Sequence, residues 1–381
     1  MNHKPLTVIQ VLPALNGGGV ERGTLEIGQY LVQQGHRSIV VSAGGRMVEQ
    51  LIQEGSEHFQ ARIGIKSPAT LKYIPWFRKL LLNIRPDIIH LRSRLPAWIC
   101  YLAWKSLPQN KRPHLVTTFH GQHSVNRYSK IMTCGEQVIT VSEFMKKHIL
   151  SAYPDVDAEK IVVIPRGIDT SRYYPGYRPD AQWLEQWLQD FPQTRNKKIL
   201  TLPGRISRRK GIEDFIAVIK SLQSENYAVH GLIVGETNSQ KNQYLNELKQ
   251  LIQDQQLSHA ITFTGHRSDL QNILAISDIV FSLSKKPESF GRTVTEALSM
   301  AIPVVAYDHG GVSEQLQQLF PTGKVPLNDI DAAAKTAKNI LSQKNILISA
   351  NETYTLARMC SETLAVYTRL TTPSKSNINN Q

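Results

Sequence analysis

Short apolar runs alternate with helical segments along almost the whole chain, and this alternation constrains the fold more than any other feature. Strands that are buried on both faces read as continuous apolar runs, so the pattern is typical of parallel sheets covered by helices. The predicted strands are 6–12, 37–42, 87–91, 114–119, 137–141 and 161–164 in the first half, and 198–202, 231–234, 261–263, 279–283 and 304–306 in the second. The fold class predicted from this pattern is α/β, with two doubly wound parallel sheets.

The length of the chain and one lapse in the alternation predict how it divides. At 381 residues it exceeds what one core usually supports, so two domains are expected. The alternation lapses from about Arg166 to Asn196, which predicts an N-terminal domain over 1–168, a connector over 169–196 and a second domain over 197–350. A helical stretch is predicted from about 331 to 370, broken near 342–345, followed by a polar, disordered tail over 371–381. Ligands of open α/β sheets bind beyond the carboxyl ends of the strands, so the cleft between two facing sheets is the expected site.

Composition excludes several other classes of protein. No apolar run approaches the roughly eighteen residues of a membrane span, and the first residues lack the apolar core of a signal peptide, so a cytoplasmic protein is expected. The cysteines, Cys100, Cys134 and Cys360, have no CxxC spacing, which argues against disulfides and structural zinc. The net charge is +13, and no RNA-binding motif accompanies it, so nucleic acid is not expected as a partner.

Two glutamates bracket a predicted helix start in the second half of the chain. Glu288 lies in the loop after the strand at 279–283, and Glu296 lies eight positions later, inside a helix predicted over 293–302. A rise of about 1.5 Å per residue places Glu296 roughly 7 Å along the axis from the helix start. The backbone N–H groups of 290–293 favour an anion such as a diphosphate between the two carboxylates. The pattern indicates a nucleotide-sugar site; the alternative is a loop charge and a solvated helix residue.

A glycine loop follows the first strand and precedes a helix. Gly17, Gly18 and Gly19 suit a close approach of the backbone to phosphate. Arg22 occupies the third position of the G-x-G-x-x-G fingerprint, which argues against a nicotinamide enzyme, and the P-loop pattern is absent too. A flexible turn remains the alternative for this loop.

Cationic residues and a histidine end three other predicted strands. His120, followed by Gly121, ends the strand at 114–119 and is placed to reach a cleft, although a packing role is as compatible with its position. Arg92 and Arg94 follow the strand at 87–91 and are candidates for holding an anionic acceptor or for simple solvation.

In the second half, Gly204 and Arg205 end the first strand and Lys210 follows them. A guanidinium and an ammonium group can neutralise a diphosphate leaving group without a metal ion. No Asp-x-Asp arrangement suited to a divalent cation is present, and neither a metal nor a cofactor is expected.

One amphipathic segment, 71–82, mixes Lys and Arg with aromatic and apolar residues. It is predicted to be a crossover helix whose apolar stripe packs on the sheet, with an anionic membrane surface as the alternative partner. Residues 1–170 contain 21 Lys and Arg but only 12 Asp and Glu. This excess of positive charge in the first half of the chain supports the membrane alternative.

With these motifs together, the chain resembles the family 4 retaining glycosyltransferases of the GT-B fold, in particular those of the bacterial cell envelope. The most specific element is Glu-x7-Glu, met by Glu288 and Glu296. The supporting matches are Gly17-Gly18-Gly19-Val20-Glu21, Phe119-His120-Gly121, Val141-Ser142-Glu143, Ile164-Pro165-Arg166-Gly167-Ile168-Asp169, Gly204-Arg205 and Lys210-Gly211. The resemblance implies two facing Rossmann-like domains and a final helix, 351–370, that returns to the first domain.

The resemblance also implies roles for these residues. Glu296 would bind the ribose, Glu288 and the Phe290 and Gly291 amides the donor sugar, and His120 would lie beside that sugar. Arg205, Lys210 and the amides of the glycine loop would stabilise the departing diphosphate. The implied donor-binding set is Gly18, Gly19, Gly204, Arg205, Lys210, Glu288, Ser289, Phe290, Gly291, Arg292, Thr293 and Glu296; the implied catalytic set is His120, Arg205, Lys210 and Glu288; the candidate acceptor contacts are Arg92, Arg94 and His120.

Arg292 departs from the family, where many relatives carry an aliphatic residue, so the contacts of the donor sugar are expected to differ. The expected reaction is retaining transfer from a nucleotide-diphosphate sugar to a glycan or lipid-linked acceptor, such as lipopolysaccharide core, at the inner face of the cytoplasmic membrane. A nucleotide-sugar epimerase and a non-catalytic nucleotide-sugar-binding protein remain alternatives.

Overall fold

The computed structural model describes residues 4–237 and 242–372, and the chain divides into two compact units. The first unit comprises the chain up to Gly167 together with the part from Leu356, and the second comprises Ile168–Thr355.

Within its described residues, the first unit is built on a seven-stranded parallel sheet with the order β3-β2-β1-β4-β5-β6-β7. Its strands are β1 (Thr7–Val11), β2 (Arg37–Ser42), β3 (Glu57–Gln60), β4 (Ile88–Leu91), β5 (His114–Phe119), β6 (Gln137–Thr140) and β7 (Ile161–Val163). Most residues of the central strands are fully buried, as expected for strands covered on both faces. The chain reverses its winding direction between β1 and β4, so the loops after these two strands flank the switch point of the sheet.

Helices connect these strands and cover the sheet. They are α1 (Gly19–Gln33), α2 (Val48–Gln53), α3 (Tyr73–Ile84), α4 (Arg94–Lys105), α5 (Arg127–Lys130) and α6 (Glu143–Ala152). In α3 the side chains of Phe77, Leu80 and Leu81 are buried, so the apolar stripe of the segment predicted to be amphipathic packs inside the unit.

The second unit holds a six-stranded parallel sheet with the order β10-β9-β8-β11-β12-β13 among its described residues. The strands are β8 (Lys198–Pro203), β9 (Val229–Val234), β10 (Ile261–Gly265), β11 (Ile279–Ser282), β12 (Val304–Tyr307) and β13 (Lys324–Val325). Here the winding direction reverses between β8 and β11. The two doubly wound parallel sheets confirm the predicted fold class.

The helices of the second unit begin with one from the segment predicted as a connector. They are α7 (Ala181–Asp190), α8 (Ile212–Ser224), α9 (Asn242–Asp254), α10 (Leu270–Ala275), α11 (Arg292–Ser299), α12 (Gly310–Leu319) and α13 (Ile330–Ser342). Trp187 of α7 packs in one core cluster with Ile199, Leu232 and Ile273, so the segment 169–196 is part of this unit rather than a separate linker.

The last helix, α14 (Leu356–Thr371), packs in the core of the first unit. Met359, Cys360, Val366 and Tyr367 share a buried cluster with residues of β1, α1 and β5. The hydroxyl of Tyr367 lies 2.6 Å from Nδ1 of His90 on β4. The first sheet is therefore covered on one face by the part of the chain farthest from it in sequence.

Three parts of the secondary structure differ from the prediction. The apolar-run pattern does not predict β3, whose residues are largely polar, or β13, which has only two residues. The predicted helix over 331–370 is interrupted over all of 343–355 rather than near 342–345 alone. In that interruption Asn351 donates to Ser299 Oγ at 2.7 Å, so 351–355 belong to the second unit. The predicted tail, 371–381, lies outside the described residues from 373 onward.

Among the described residues, none of the helices combines the length and the apolar character needed to cross a membrane.

Candidate functional site

The switch point of the second sheet brings two predicted site segments together. The loop after β8 carries Gly204, Arg205 and Lys210, and the loop after β11 carries Glu288. Because these strands are neighbours and run in parallel, their loops meet at one edge of the sheet. The ammonium group of Lys210 lies 2.6 Å from Oε1 of Glu288, whereas Arg205 is exposed beside them.

The carboxylate of Glu288 is held as an anion. Ser284 donates to its Oε1 at 2.5 Å, in addition to the contact with Lys210. Burial acts to raise the pKa of Glu288, but the charge of Lys210, the bonds from Lys210 and Ser284 and the charge of Arg209 together lower it below its ordinary value. The site therefore offers a fixed hydrogen-bond acceptor rather than a proton donor.

The backbone between Glu288 and α11 follows a shape that needs glycine. Gly291 caps α11 with a φ of 94°, and a Cβ at this position would lie 2.4 Å from a methyl group of Val312. The neighbouring α12 fixes the same segment, because the Gly311 amide donates to the Glu288 carbonyl at 2.8 Å and Gln315 donates to the Phe290 carbonyl at 2.6 Å. These contacts fix the backbone that leads into α11, and the N-terminus of a helix favours an anion.

Glu296 is buried inside α11 and is only 2% exposed, so the interpretation as a solvated helix residue is wrong. Nε of Arg292, one turn earlier, lies 3.2 Å from its Oε1. The side chain of Arg292 therefore points along the helix toward Glu296, the second glutamate. In the part of the chain that the structure describes, Oγ1 of the adjacent Thr295 is buried without a hydrogen-bond partner.

A cavity of about 540 Å³ lies at the carboxyl ends of β8, β9 and β10. The cavity is lined by three residues of the predicted donor-binding set, Gly204, Arg205 and Thr293. Residues outside that set line it as well. Its volume is within the usual range for small-molecule sites.

The switch point of the first sheet carries the glycine loop. Gly18 caps α1, and a Cβ on Gly19 would meet no atom within 4 Å, so the helix start is open at this point. Arg46, which is not among the predicted residues, lies beside the loop, since a Cβ on Gly17 would fall 2.5 Å from its Nη2. It also donates to the carbonyl of Asn16. The loop therefore combines a helix N-terminus with a cation.

Of the two candidate acceptor arginines, Arg92 is buried and only 5% exposed. Its guanidinium donates to Oε1 of Gln10. It also donates to the carbonyl oxygen of Gly23, at 3.2 Å. This environment places its guanidinium inside the unit, so direct contact with an acceptor is no longer expected. Arg94 is half-buried at the start of α4, where it donates to Oγ of Ser129 at 3.0 Å and lies over the ring of Tyr128.

His120 lies at the carboxyl end of β5, as predicted, and contacts an arginine. Nη2 of Arg166 lies 2.7 Å from Nδ1 of His120. Nε2 of His120 is buried and has no hydrogen-bond partner among residues 4–237 and 242–372. Burial, followed by the charges of Arg166 and Arg92 and by His90 and His123, holds the pKa of His120 well below its ordinary value. The imidazole is therefore neutral at pH 7.

Among residues 4–237 and 242–372, no group of three or more His, Cys, Asp and Glu side chains is arranged to hold a metal ion.

Comparisons with known proteins agree with this geometry. The sequence profile of the family described as Glycosyltransferase Family 4 matches residues 17–172, and that of Glycosyl transferases group 1 matches 185–354. The crystal structure of a glycosyltransferase from Rickettsia africae superposes with a TM-score of 0.84 at 30% identity, covering 98% of this chain and all of that one. The chain belongs to glycosyltransferase family 4.

Three further matches of this glycosyltransferase have 19% to 25% identity. Anabaena HepE, solved in complex with UDP-glucose, superposes with a TM-score of 0.72 at 19% identity, over 95% of this chain and 100% of that one. The N-acetyl-alpha-D-glucosaminyl L-malate synthase of Bacillus anthracis is 24% identical over 89% of this chain and 88% of its own length. A UDP-Gal:alpha-D-GlcNAc-diphosphoundecaprenol alpha-1,3-galactosyltransferase of Escherichia coli is 25% identical over 88% and 87%. With several other curated relatives the match spans 33% to 63% of their length.

The structure of this family 4 glycosyltransferase adds residues to the predicted set. Glu236, Thr237, His266 and Arg267 line the cavity at the end of the second sheet, and Arg166 contacts His120. The signal that points to the first four is their position directly after the strands predicted at 231–234 and 261–263. Arg166 belongs to the family motif Ile164-Pro165-Arg166-Gly167-Ile168-Asp169. No feature of the sequence indicates that it contacts His120.

Proposed function

We propose that this glycosyltransferase transfers a sugar from a nucleotide-diphosphate sugar, with retention of the anomeric configuration, to a glycan or lipid-linked acceptor. The ion pair between Lys210 and Glu288 at the switch point of the second sheet carries this proposal. It sets a cation for a diphosphate next to an acceptor for sugar hydroxyls, beside the start of α11. The adjoining cavity of about 540 Å³ has room for a nucleoside.

In the reaction we propose, the bond between the anomeric carbon and the β-phosphate oxygen breaks, and its electron pair leaves with the nucleoside diphosphate. Arg205 and Lys210 stabilise the charge on that leaving group. Positive charge spreads over the anomeric carbon and the ring oxygen, and the acceptor hydroxyl attacks from the face the diphosphate leaves. The hydroxyl proton passes to a phosphate oxygen of the leaving group. No protein nucleophile and no metal ion takes part in this scheme.

Binding of a nucleotide sugar is the first point to test. A thermal-shift screen against UDP-, GDP- and ADP-sugars should find one base class that raises the melting temperature, because a ligand of the folded state stabilises it. The complex of Anabaena HepE with UDP-glucose makes UDP-sugars the first choice. A panel in which no nucleotide sugar shifts the melting temperature would contradict the proposal.

Transfer and retention are tested with the donor that binds. Incubated with that donor and a diphosphoundecaprenol-linked sugar, the class of acceptor that the E. coli relative's name states, the protein should form a product of unchanged anomeric configuration by NMR. Isomerisation of the donor without acceptor would instead indicate an epimerase. Donor binding without any turnover would indicate a binding protein.

We also propose that the enzyme acts in the cytoplasm and that α3 binds an anionic membrane on which the acceptor is displayed, such as one carrying lipopolysaccharide core. Arg78 and Lys79 are exposed on α3, and Lys72 is exposed just before it. Leu71, in the turn that leads into α3, is 56% exposed. Ile65, in the preceding loop, is 47% exposed. Exposed cations beside exposed apolar side chains are the pattern of a peripheral membrane surface.

The membrane proposal is tested by co-sedimentation with vesicles containing phosphatidylglycerol at low salt. Replacing Lys72, Arg78 and Lys79 with Glu should reduce the bound fraction at least tenfold, since each cation near an anionic surface contributes about 1 kcal/mol. The matched control replaces three exposed lysines of the second unit, Lys249, Lys335 and Lys344, with Glu. Equal losses in both variants, or no binding by the wild type, would show that α3 is not a specific membrane surface.

A further inference from the structure

Arg166 follows β7 and extends back into the first unit, where it is 8% exposed. Its Nη2 contacts Nδ1 of His120 at 2.7 Å. Its Nη1 occupies space that only a glycine on α1 leaves open, since a Cβ on Gly23 would lie 2.4 Å from it. The guanidinium thus packs against the surface of α1 and reaches the histidine at the end of β5.

The chemistry of the two groups decides where the imidazole proton lies. A guanidinium group has hydrogen-bond donors and no acceptor, so Nδ1 of His120 must be the acceptor of this bond. A neutral imidazole whose Nδ1 accepts carries its proton on Nε2. The other tautomer would set two N–H groups against each other at 2.7 Å.

The opposite nitrogen of the ring is the one left for a ligand. Nε2 of His120 is buried without a partner in the part of the chain that the structure describes. A buried N–H without a partner is unfavourable, so this donor is suited to an oxygen supplied from outside the protein. Arg92, whose Nη2 would lie 3.8 Å from a Cβ on Gly23, adds a second positive charge that disfavours protonation of the ring.

We propose that Arg166 is a positioning residue that fixes His120 as the Nε2–H tautomer, so that His120 donates a hydrogen bond to a sugar hydroxyl and does not act as a base. The sugar as ligand rests on the proposed function, whereas the tautomer rests on the geometry alone. The arginine of the motif Ile164-Pro165-Arg166-Gly167 thus orients the ring of His120. His120 is then no longer a candidate for accepting a proton.

The tautomer is measured in the whole protein labelled with 15N-histidine, without any ligand. Long-range 1H–15N spectra at pH 7.5 distinguish a protonated from an unprotonated ring nitrogen, and the signals that disappear in His120→Gln identify His120. The wild type should show a protonated Nε2 and an unprotonated Nδ1. A protonated Nδ1 in the wild type would overturn the proposal, whatever the variants do.

Variants of the arginine separate positioning from simple structural support. Arg166→Met should give a mixture of the two tautomers, whereas Arg166→Lys should keep the wild-type pattern, because an ammonium group also only donates. The matched control is Arg112→Met, which removes a half-buried arginine bonded to the carbonyls of Lys105 and Leu107. The control should leave the His120 signals unchanged. An unchanged tautomer in a folded Arg166→Met protein would overturn the proposal.

Activity gives a second, independent readout. His120→Gln, which keeps an N–H donor near the position of Nε2, should retain about tenfold more kcat/KM than His120→Ala, and Arg166→Lys should exceed Arg166→Met by a similar factor. Equal losses in His120→Gln and His120→Ala would show that the histidine acts in another way. If no variant and no wild-type protein transfers a sugar, the proposed function fails while the NMR result still decides the tautomer.

Discussion

Arg205 and Lys210 differ in their surroundings although both are predicted to stabilise the leaving group. Lys210 is paired with Glu288, whereas Arg205 is exposed at the edge of the cavity. Arg208, three residues after Arg205, instead contacts Glu247 at the surface. The loss of a cation at the site, Arg205 or Lys210, can therefore be compared with the loss of a surface cation, Arg208, from the same loop.

We expect Arg205→Ala and Lys210→Ala each to lower kcat at least 100-fold, the effect of losing about 3 kcal/mol of charge stabilisation in the transition state. Arg208→Ala serves as the control and should stay within about twofold of the wild type. Steady-state transfer assays at saturating donor measure the effect. Near-wild-type turnover in both site variants would refute the assignment of these residues to the leaving group.

The pair of Arg292 and Glu296 joins a buried carboxylate to a largely buried arginine one turn away. Arg292→Leu removes a cation from a carboxylate that is 2% exposed, and we expect the free energy of unfolding to fall by about 1–3 kcal/mol. The control, Arg358→Leu, removes the exposed pair with Glu362 at the same spacing and should cost less than about 0.5 kcal/mol. Denaturant titrations measure both values. Equal costs would show that burial of Glu296 does not depend on Arg292.

At the level of elements, α7 supports the loop that lines the cavity. The indole N–H of Trp183 donates to Asp269 at 2.7 Å, and Arg267 binds the same carboxylate at 2.6 and 2.9 Å. Arg267 also lies over the ring of Trp187. A helix outside the sheet thus holds the residues that follow β10 in a fixed position.

Trp183→Phe keeps an aromatic ring at this position but removes the indole N–H, so the loop at 265–269 loses one anchor. We expect the Kd of the nucleoside diphosphate to rise about three- to tenfold, as for the loss of one hydrogen bond of about 1 kcal/mol. Trp98→Phe, which removes the N–H that donates to the Tyr128 carbonyl in the first unit, is the control. Isothermal titration calorimetry measures the Kd of the nucleoside diphosphate for both variants. Equal Kd values would contradict the prediction.

Some strands and contacts of this protein are predictable from its sequence, and others are not. The strands that lead to the site, β8 and β11, are mostly apolar, and Lys210 and Glu288 lie in the loops that follow them. Their meeting is therefore predictable from strand order alone. In contrast, β3 pairs as an edge strand with Glu, His, Phe and Gln, and its pairing with β2 depends on the register of the whole sheet. Neither the contact of Arg166 with His120 nor that of Arg292 with Glu296 follows from local patterns, because each depends on which rotamer the packed neighbours allow.

For the whole molecule, buried histidines predict how stability changes with pH. Burial lowers the pKa of His90 and His120 well below the ordinary value, and that of His230 to about 4. Each of these groups takes up its proton more readily in the unfolded chain, so the stability that it contributes above pH 6.5 is lost as the pH falls below that value. For His230 this loss continues down to about pH 4. His114 opposes this trend, because the bond to Glu136 raises its pKa.

We therefore expect the free energy of unfolding to decrease from pH 7.5 to pH 5, measured by urea titration at each pH. His230→Gln, which removes one buried histidine bonded to Thr262, should make the decrease shallower. His266→Gln, at an exposed position, is the control. A pH dependence that is identical in the wild type and in His230→Gln would show that this histidine titrates alike in both states.

The position of α14 has a consequence for how the protein is made. Residues of this helix complete the core around β1, α1 and β5, although some 190 residues of the second unit separate them from the rest of the first unit. During translation the first unit leaves the ribosome without this helix, so part of one side of its sheet stays uncovered until the second unit has been synthesised. Chaperones would meet an exposed apolar surface around Leu6, Val8 and Ile88 for that whole interval. The unit that is synthesised first is then the last to become complete.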